Sequence, residues 1–261
     1  MVGDPEHAAP RATDGRPMPK RVQDRAALLK AARGHLGGPV DAFEPFGRMQ
    51  FEVLLHEGLH PASKVLDVGC GCLRAGYWLL HFLEPGNYSG IEPFEERLRG
   101  GFEYIIEPDV LERARPSFSH NDDFDLSVFG STFDFVIARS IWSHTSKAQI
   151  QHMLDSFVVC SEPGSVLLAS YLRASKLPDS VREPLYRLMR KVPKLIQVRR
   201  RIVGRRLPPA DYAGDEWDSG LIGHSYEWIS TECSRRGLAV QELDFAVENS
   251  QVWLRIERRR E

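Results

Sequence analysis

Apolar and polar residues follow two patterns along the chain, one typical of buried strands and the other of helices. Four short apolar runs have the length and composition of parallel strands covered on both faces: residues 64–68, 88–92, 133–138 and 165–171. Segments with apolar residues at helical spacing separate these runs. Strands that alternate with helices imply right-handed crossovers, so the pattern predicts a doubly wound α/β sheet.

Local signals give the ends of two predicted helices. One helix lies within residues 41–61, where apolar residues recur at helical spacing and Gly58 supplies a stop. Another begins near Ser146, which forms a capping-box pattern with Gln149. The Glu-Pro-Gly sequence at 162–164 is predicted to end this second helix and to turn the chain into the next strand.

The last part of the chain departs from the alternating order. A helical segment closed by Gly237 is followed by two runs of alternating apolar and polar residues, 238–247 and 250–257. Two consecutive strands with a short connection imply an antiparallel hairpin. Together these patterns predict a mostly parallel, doubly wound sheet that ends in this hairpin.

The composition supports one main domain. A chain of 261 residues that is 42% hydrophobic has enough apolar material for one sizeable core. Residues 1–40 are predicted to be a flexible tail with one short helix, and residues 41–261 to be the domain. Between about 174 and 223 lies an insertion, in which the stretch 187–206 contains nine Lys or Arg and no acidic residue.

Charge, apolar runs and cysteines exclude several classes of protein. The formal net charge of -2 argues against a surface built as a whole for nucleic acid or anionic lipid. No run approaches the roughly 20 apolar residues of a membrane helix, and the first residues lack the apolar part of a secretory signal, so we expect a cytoplasmic protein. The cysteine spacing fits neither a disulfide framework nor a zinc site, so no metal is predicted. The cysteines are Cys70, Cys72, Cys160 and Cys233.

Candidate chemistry lies where the first two predicted strands end. Asp67, Gly69 and Gly71 close the first strand, and Glu92 closes the second. Glycines let a ligand approach the backbone, and a helix predicted to begin near Leu73 would offer unpaired N–H groups. Ligands of open α/β sheets bind at the carboxyl ends of the strands, where a carboxylate can accept hydrogen bonds from ribose hydroxyls. The sequence therefore predicts a nucleoside ligand.

The glycine pattern narrows the choice of nucleoside. The order D-x-G-x-G, then LRAG, an acidic residue ending the second strand, and FDFVIAR resembles class I S-adenosylmethionine-dependent methyltransferases over roughly residues 44–172. The resemblance implies a Rossmann-like fold with a seven-stranded sheet, S-adenosyl-L-methionine as the cofactor and methyl transfer as the reaction. One departure is Leu73, which stands where many members of that family have a third glycine.

The resemblance also implies roles for individual residues. Glu92 would hold the ribose hydroxyls, and the adenine amino group would be bound by Asp122 or its neighbour Asp123, which the sequence does not separate. Both aspartates could instead form a polar turn. The implied cofactor-binding residues are Asp67, Gly69, Gly71, Glu92, Asp122, Asp123 and Arg139.

Candidates for catalysis and for substrate binding come from later positions. His144 follows the fourth apolar run and could take a proton from a hydroxyl or an amine, or it could be a packing residue at a helix entry. Trp142 could stack on a planar substrate, although core packing explains it as well. Tyr212 and His224 lie at the end of the insertion, where they could line the same cleft or anchor the insertion.

The resemblance favours methyl transfer to an oxygen or a nitrogen of a small-molecule acceptor. One alternative is a nucleic acid or protein acceptor held by the basic stretch 187–206, which could also be a lid or a solvated helix face. A second alternative is a nicotinamide-dependent oxidoreductase, against which Arg74 argues because it occupies the third glycine position of the dinucleotide fingerprint. A third is a module that binds the cofactor without catalysis.

Overall fold

The computed structural model describes residues 21–174, 222–245 and 251–259. The chain divides into two compact units, residues 1–122 and residues 123–261. Most of the predicted insertion, with its basic stretch and Tyr212, lies outside the described residues, as do the first 20 residues of the predicted tail.

The first unit is built on short parallel strands. Strand β1 pairs in parallel with β2, and β2 pairs in parallel with β3. In this register Asp67 lies opposite Gly90. The elements of this unit are α1 (Val22–Ala31), α2 (Phe43–His56), β1 (Val65–Val68), α3 (Gly76–Phe82), β2 (Tyr88–Ile91), α4 (Glu95–Gly100), a π-helical turn (Gly101–Ile105), α5 (Pro108–Ala114) and β3 (Ser117–Ser119).

The second unit combines parallel and antiparallel pairing. Strand β5 pairs in parallel with β4 and with the two-residue β6, and it pairs antiparallel with β8, which in turn pairs antiparallel with β7. The elements of this unit are a short 3-10 helix (Leu126–Phe129), β4 (Phe133–Ala138), α6 (Lys147–Val159), β5 (Ser161–Arg173), β6 (Gly223–His224), α7 (Tyr226–Ser234), β7 (Leu238–Leu243) and β8 (Gln251–Arg258).

These elements confirm the predicted fold class, a mixed α/β protein with mostly parallel strands and an antiparallel pair at its end. The described residues contain 8 strands rather than the predicted seven. The apolar runs predicted six of these strands, and the other two, β3 and β6, have three and two residues and are too short to leave such a run. The β7–β8 pair matches the predicted hairpin.

Burial explains why the local patterns were informative. The four residues of β1 are all buried, as expected for a strand covered on both faces. The capping box at the start of α6 is present, with the Ser146 side chain accepting from the Gln149 backbone and the Gln149 side chain accepting from the Ser146 backbone. Gly58 has a φ of +99°, which suits the stop it provides after α2.

The turn predicted at residues 162–164 is wrong. Strand β5 begins at Ser161, which lies opposite Phe133, and the next pair joins Val166 to Phe135. The Glu-Pro-Gly sequence therefore forms an irregularity inside the strand, where Gly164 adopts a φ of +99°. Pairing with β4 starts as soon as α6 ends, which leaves no separate turn.

Helix α1 belongs to the core of the first unit. Ala26 and Leu29 are 0% and 2% exposed. The buried Arg25 donates to the backbone carbonyl of Ile105 at 3.0 Å and forms an ion pair with Glu107 at 2.5 Å. Helix α1 thereby holds the π-helical turn and the start of α5.

Candidate functional site

The loop that follows β1 has an unusual backbone. Gly69, Gly71 and Leu73 have φ values of +72°, +57° and +64°, so three alternate residues are left-handed. Leu73 thus adopts the conformation that glycine prefers. The helix predicted to begin near Leu73 begins instead at Gly76, because a left-handed residue cannot belong to a right-handed helix.

Packing explains how a leucine is kept at this position. The Leu73 side chain is fully buried. A Cβ added to Gly76 would lie 3.0 Å from Leu73 Cβ, and one added to Gly101 would lie 3.1 Å from Leu73 Cγ. Burying a leucine side chain contributes about 1.5 to 3 kcal/mol, which offsets a left-handed backbone cost of about 1 to 2 kcal/mol. Glycines on neighbouring segments make the space for this side chain.

Glu92 and the glycine-rich loop meet at one edge of the first unit, as predicted. The Glu92 side chain is buried, its Oε2 accepts from the backbone N–H of Gly71 at 3.0 Å, and its Oε1 accepts from the backbone N–H of Phe94 at 3.0 Å. Arg97 lies 3.5 Å from Oε1. Burial raises the pKa of Glu92, while these two hydrogen bonds and Arg97 oppose the rise.

The backbone beside Glu92 is uncrowded at Gly71. A Cβ added to Gly71 would find its nearest neighbours at 4.0 Å, the Glu92 Oε2 atom and the Gly69 carbonyl oxygen. The Cα of Gly71 therefore has room for a ligand next to the carboxylate. A carboxylate accepts about four hydrogen bonds, and Gly71, Phe94 and the Arg97 ion pair take up part of this capacity at Glu92.

Three amides of the glycine-rich loop are bonded within the first unit. The amides of Gly69 and Cys70 both donate to the carbonyl of Ile91, at 2.8 and 3.0 Å, and the amide of Gly71 donates to Glu92. The glycine-rich loop is therefore fastened to β2 by its own N–H groups.

Asp67 is a buried carboxylate within β1. It is 4% exposed, and its Oδ2 accepts from the Tyr88 hydroxyl at 2.9 Å. Burial and, to a smaller extent, the charge of Glu92 raise the pKa of Asp67 to about 7, against the opposing effect of the Tyr88 hydrogen bond. Asp67 therefore changes charge near neutral pH.

The two aspartates predicted near adenine follow β3 and differ in their surroundings. The Oδ1 atom of Asp123 accepts from the backbone N–H of Asp125 at 3.0 Å, which is the polar turn that the sequence also allowed. Asp122 is exposed and forms no hydrogen bond or ion pair with the described part of the chain. The structure thus leaves Asp122 the more available of the two. His120, which the sequence did not single out, donates to the Glu92 carbonyl at 2.7 Å.

A ring of hydrogen bonds holds the loop that follows β4 in the second unit. The backbone N–H of Ser140 donates to Ser170 Oγ at 2.7 Å, Ser170 Oγ donates to Gln251 Oε1 at 2.6 Å, and Gln251 Nε2 donates to Ser140 Oγ at 2.7 Å. Ser140 has a φ of +60°. Sequence reasoning missed this ring, because its members are 30 to 111 positions apart.

Trp142 and His224 also hold this loop. Trp142 is fully buried and its indole N–H donates to Met153 Sδ at 3.2 Å. His224 is 3% exposed and its Nε2 donates to the Trp142 carbonyl at 3.1 Å. Burial lowers the pKa of His224 to about 4, so the ring is neutral at physiological pH. These contacts match the core packing and the anchoring role that the sequence also allowed, and the substrate contacts of Trp142 and His224 stay predictions.

The remaining predicted residues of the second unit lie at the end of β4. Arg139 follows the last residue of that strand and is half-buried. His144 is exposed, two positions before the N-cap of α6, and its backbone N–H donates to the Ile141 carbonyl at 2.9 Å.

The described residues contain neither a metal-binding cluster nor a membrane-spanning helix. No group of three or more His, Cys, Asp or Glu side chains in these residues could hold a metal ion. None of the helices described above is long and apolar enough to span a membrane.

No protein-family model matches the sequence, but solved structures match the fold. A magnesium protoporphyrin IX methyltransferase from Synechocystis PCC 6803 with bound SAH is similar over 90% of this chain and 93% of its own, with a TM-score of 0.54 and 15% identity. For the DhpI–SAH complex these values are 90%, 92%, 0.54 and 12%. For an S-adenosylmethionine-dependent methyltransferase from Clostridium acetobutylicum ATCC 824 they are 83%, 92%, 0.53 and 11%. At such identities the likeness shows a shared fold.

Proposed function

We propose that this chain, which has the Rossmann-like fold of class I methyltransferases, transfers a methyl group from S-adenosyl-L-methionine to an oxygen or a nitrogen of a small-molecule acceptor. The observation that carries the proposal is the contact between Glu92 and Gly71, 3.0 Å long, at the carboxyl ends of two parallel strands. A nucleoside needs this combination of an accessible glycine and a carboxylate.

The proposed cofactor-binding residues have separate tasks. Glu92 accepts hydrogen bonds from the ribose hydroxyls, and Asp67 balances the charge of the ammonium group at the methionine end. The Cα of Gly71 leaves room for the ligand, as its open surroundings indicate. The exposed Asp122 accepts from the adenine amino group, for which Asp123 is less suited because it already accepts from Asp125. Arg139 stays a proposed cofactor contact on the strength of its position after β4.

The cofactor, when bound, supplies an electrophilic methyl group, so the protein's part is to align the acceptor and to remove its proton where necessary. His144 is the proposed base. Its exposure and its place in the loop after β4 support this role. Trp142 and His224 are both buried, and their hydrogen bond holds the loop after β4 that contains His144.

The similar structures support a small acceptor. One of them is named as acting on magnesium protoporphyrin IX, and another is the DhpI–SAH complex. A macromolecular acceptor is the second candidate, and the nine Lys or Arg of residues 187–206 favour it. Binding of a mixed-sequence RNA or DNA oligonucleotide that weakens steeply as salt rises would promote that second candidate.

A thermal-shift panel with S-adenosylmethionine, S-adenosylhomocysteine, NAD and NADP tests the cofactor. A ligand at 100 times its Kd stabilises the folded protein by about 2.7 kcal/mol, which corresponds to a rise in Tm of roughly 5 to 10 °C. We expect this rise with the first two ligands. A rise with NAD or NADP alone would replace the proposal with an oxidoreductase.

The Glu92→Gln variant tests whether the cofactor binds at the proposed site. Loss of the charged acceptor should weaken S-adenosylhomocysteine binding by about 10- to 100-fold in calorimetry. Glu112→Gln is the matched control, because Glu112 is exposed on α5 and contacts none of the proposed residues. Equal affinities of Glu92→Gln and the wild type would remove Glu92 from the site.

A further inference from the structure

Tyr88 reaches Asp67 from the neighbouring strand. It is the first residue of β2 and lies opposite Val65 in the register, two positions before the partner of Asp67. Its side chain spans this offset, so that its hydroxyl donates to Asp67 Oδ2 at 2.9 Å. Tyr88 and Asp67 are 1% and 4% exposed, so water does not replace this hydrogen bond.

The hydroxyl of Tyr88 lies close to the start of α3. A Cβ added to Gly76, the first residue of α3, would lie 2.9 Å from this oxygen. Gly76 therefore gives the phenol the space to reach Asp67. A phenylalanine at position 88 would keep the aromatic ring in β2, but it would leave Asp67 Oδ2 without this donor.

Besides burial, which raises the pKa of Asp67 most, the groups that face its carboxylate matter for its charge. The Glu92 carboxylate, which follows β2, raises the pKa of Asp67. The Cys70 thiol of the loop has a pKa raised well above its ordinary value by burial, so this thiol stays neutral. Burial also raises the pKa of Tyr88 well above its ordinary value, so the phenol keeps its proton and stays a donor. Of these groups, Tyr88 is the one that stabilises the ionised carboxylate.

We propose that Tyr88 is a positioning residue for the cofactor, because its hydroxyl holds Asp67 in one orientation and in its ionised form, ready to accept the ammonium group at the methionine end. This inference rests on the proposed function. Beyond the proposed function, it predicts how the affinity for the cofactor depends on pH. Cofactor affinity should increase with pH through neutrality, and Tyr88 should set the pH at which the increase occurs.

Calorimetry of S-adenosylhomocysteine binding between pH 6 and 9 tests the inference. Since only the ionised carboxylate balances the ammonium charge, the Kd of the wild type should rise about 10-fold from pH 8 to pH 6. Tyr88→Phe should move the midpoint up by about one pH unit. Its Kd should then exceed that of the wild type about fivefold at pH 7 and lie within about twofold of it at pH 9.

Two further variants separate positioning from general damage. Asp67→Asn should abolish the pH dependence, and adding Tyr88→Phe to it should change the Kd by less than about twofold, because Tyr88 acts through Asp67. Tyr226→Phe is the matched control, since its hydroxyl donates to the Val240 carbonyl at 3.0 Å in the second unit. This control should reproduce the wild-type profile.

A measurement without ligand keeps the inference independent of cofactor binding. The carboxyl ¹³C signal of Asp67 in the free protein should titrate near neutral pH in the wild type and about one unit higher in Tyr88→Phe. An equal loss of affinity at every pH, or an unmoved titration of Asp67, would overturn the role of Tyr88 and leave the proposed function standing. Absence of any S-adenosylhomocysteine binding by the wild type would overturn both.

Discussion

At the scale of single residues, Asp67 shows the cost of a buried charge at a binding site. Its carboxylate is 4% exposed, and burial raises its pKa to about 7 from an ordinary value of 3.8. Between these two pH values the folded protein holds the proton more tightly than the unfolded chain does. Stability therefore falls as pH rises from about 4 to 7, and the full cost remains above pH 7.

Asp67→Asn should remove this cost. We expect the free protein to gain about 2 to 4 kcal/mol in the free energy of unfolding at pH 8, because an amide is not penalised by burial as a charge is. The gain should fade as pH falls to about 3, where Asp67 is protonated in the unfolded chain as well as in the folded protein. Denaturant unfolding at a series of pH values measures it. A gain that is independent of pH would show that the carboxylate is not the source.

His144→Ala tests the proposed base. If His144 takes the acceptor's proton, the variant should lose about two to four orders of magnitude in turnover while its affinity for S-adenosylhomocysteine is unchanged. His152→Ala, which removes an exposed histidine from α6, is the matched control. Turnover is measured with an acceptor that the wild type methylates. Normal rates in His144→Ala would assign that histidine to the helix entry alone.

Residues of the candidate site differed in how far the sequence revealed them. Gly71 and Glu92 followed from their places at the ends of neighbouring strands, because parallel strands bring those ends together. For Trp142 and His224 the sequence left substrate contact and packing both open, because it could not show that His224 contacts Trp142 from 82 positions away. Tyr88 was missed for a similar reason, because a strand residue shows nothing of a hydrogen bond to the next strand.

At the scale of elements, the loop after β4 is held by side chains from two other strands. Ser170 is fully buried and Gln251 is 7% exposed, and their ring of hydrogen bonds includes both the amide and the hydroxyl of Ser140. The reverse orientation of the Gln251 amide would leave the Ser170 proton without an acceptor in the described part of the chain. The ring therefore keeps Ser140 at its φ of +60°.

Gln251→Leu should destabilise the second unit through this loop. The change leaves the buried Ser170 hydroxyl without its acceptor, at a cost of about 1 to 3 kcal/mol, which lowers Tm by roughly 2 to 10 °C. Calorimetric unfolding measures the change. Gln241→Leu is the matched control, because Gln241 is exposed on β7. Equal Tm values for the two variants would show that the ring does not support the loop.

Local sequence signals predicted an element well where residues close together in the sequence determine its ends. The strand at 133–138 and the capping box of α6 depend on neighbouring residues, and both were found as predicted. The end of α6 was misjudged, because pairing of Ser161 with Phe133 overrides the Glu-Pro-Gly turn signal. The helix start near Leu73 failed because packing against Gly76 and Gly101 sustains a left-handed leucine.

At the scale of the whole molecule, the alternation of strands and helices was enough to predict the fold class. That alternation appears in the hydrophobic pattern and leaves few arrangements that bury all the apolar runs. The division into two compact units, 1–122 and 123–261, was not predicted. Composition gives the size of a core but does not show where contacts along the chain are sparse.

The pairing of β5 with β6 has a consequence for variation among related chains. Leu172 lies opposite Gly223 and Arg173 opposite His224, and the amide of Ile222 donates to the Ser143 carbonyl at 2.7 Å. The segment that connects β5 to β6 therefore begins and ends at neighbouring positions of the sheet. Loop-closure entropy grows slowly with length, and a parallel pair needs a connection of about a dozen residues or more. We expect that any connecting segment longer than about a dozen residues can replace this one, in evolution or by engineering, without a change in the rest of the fold.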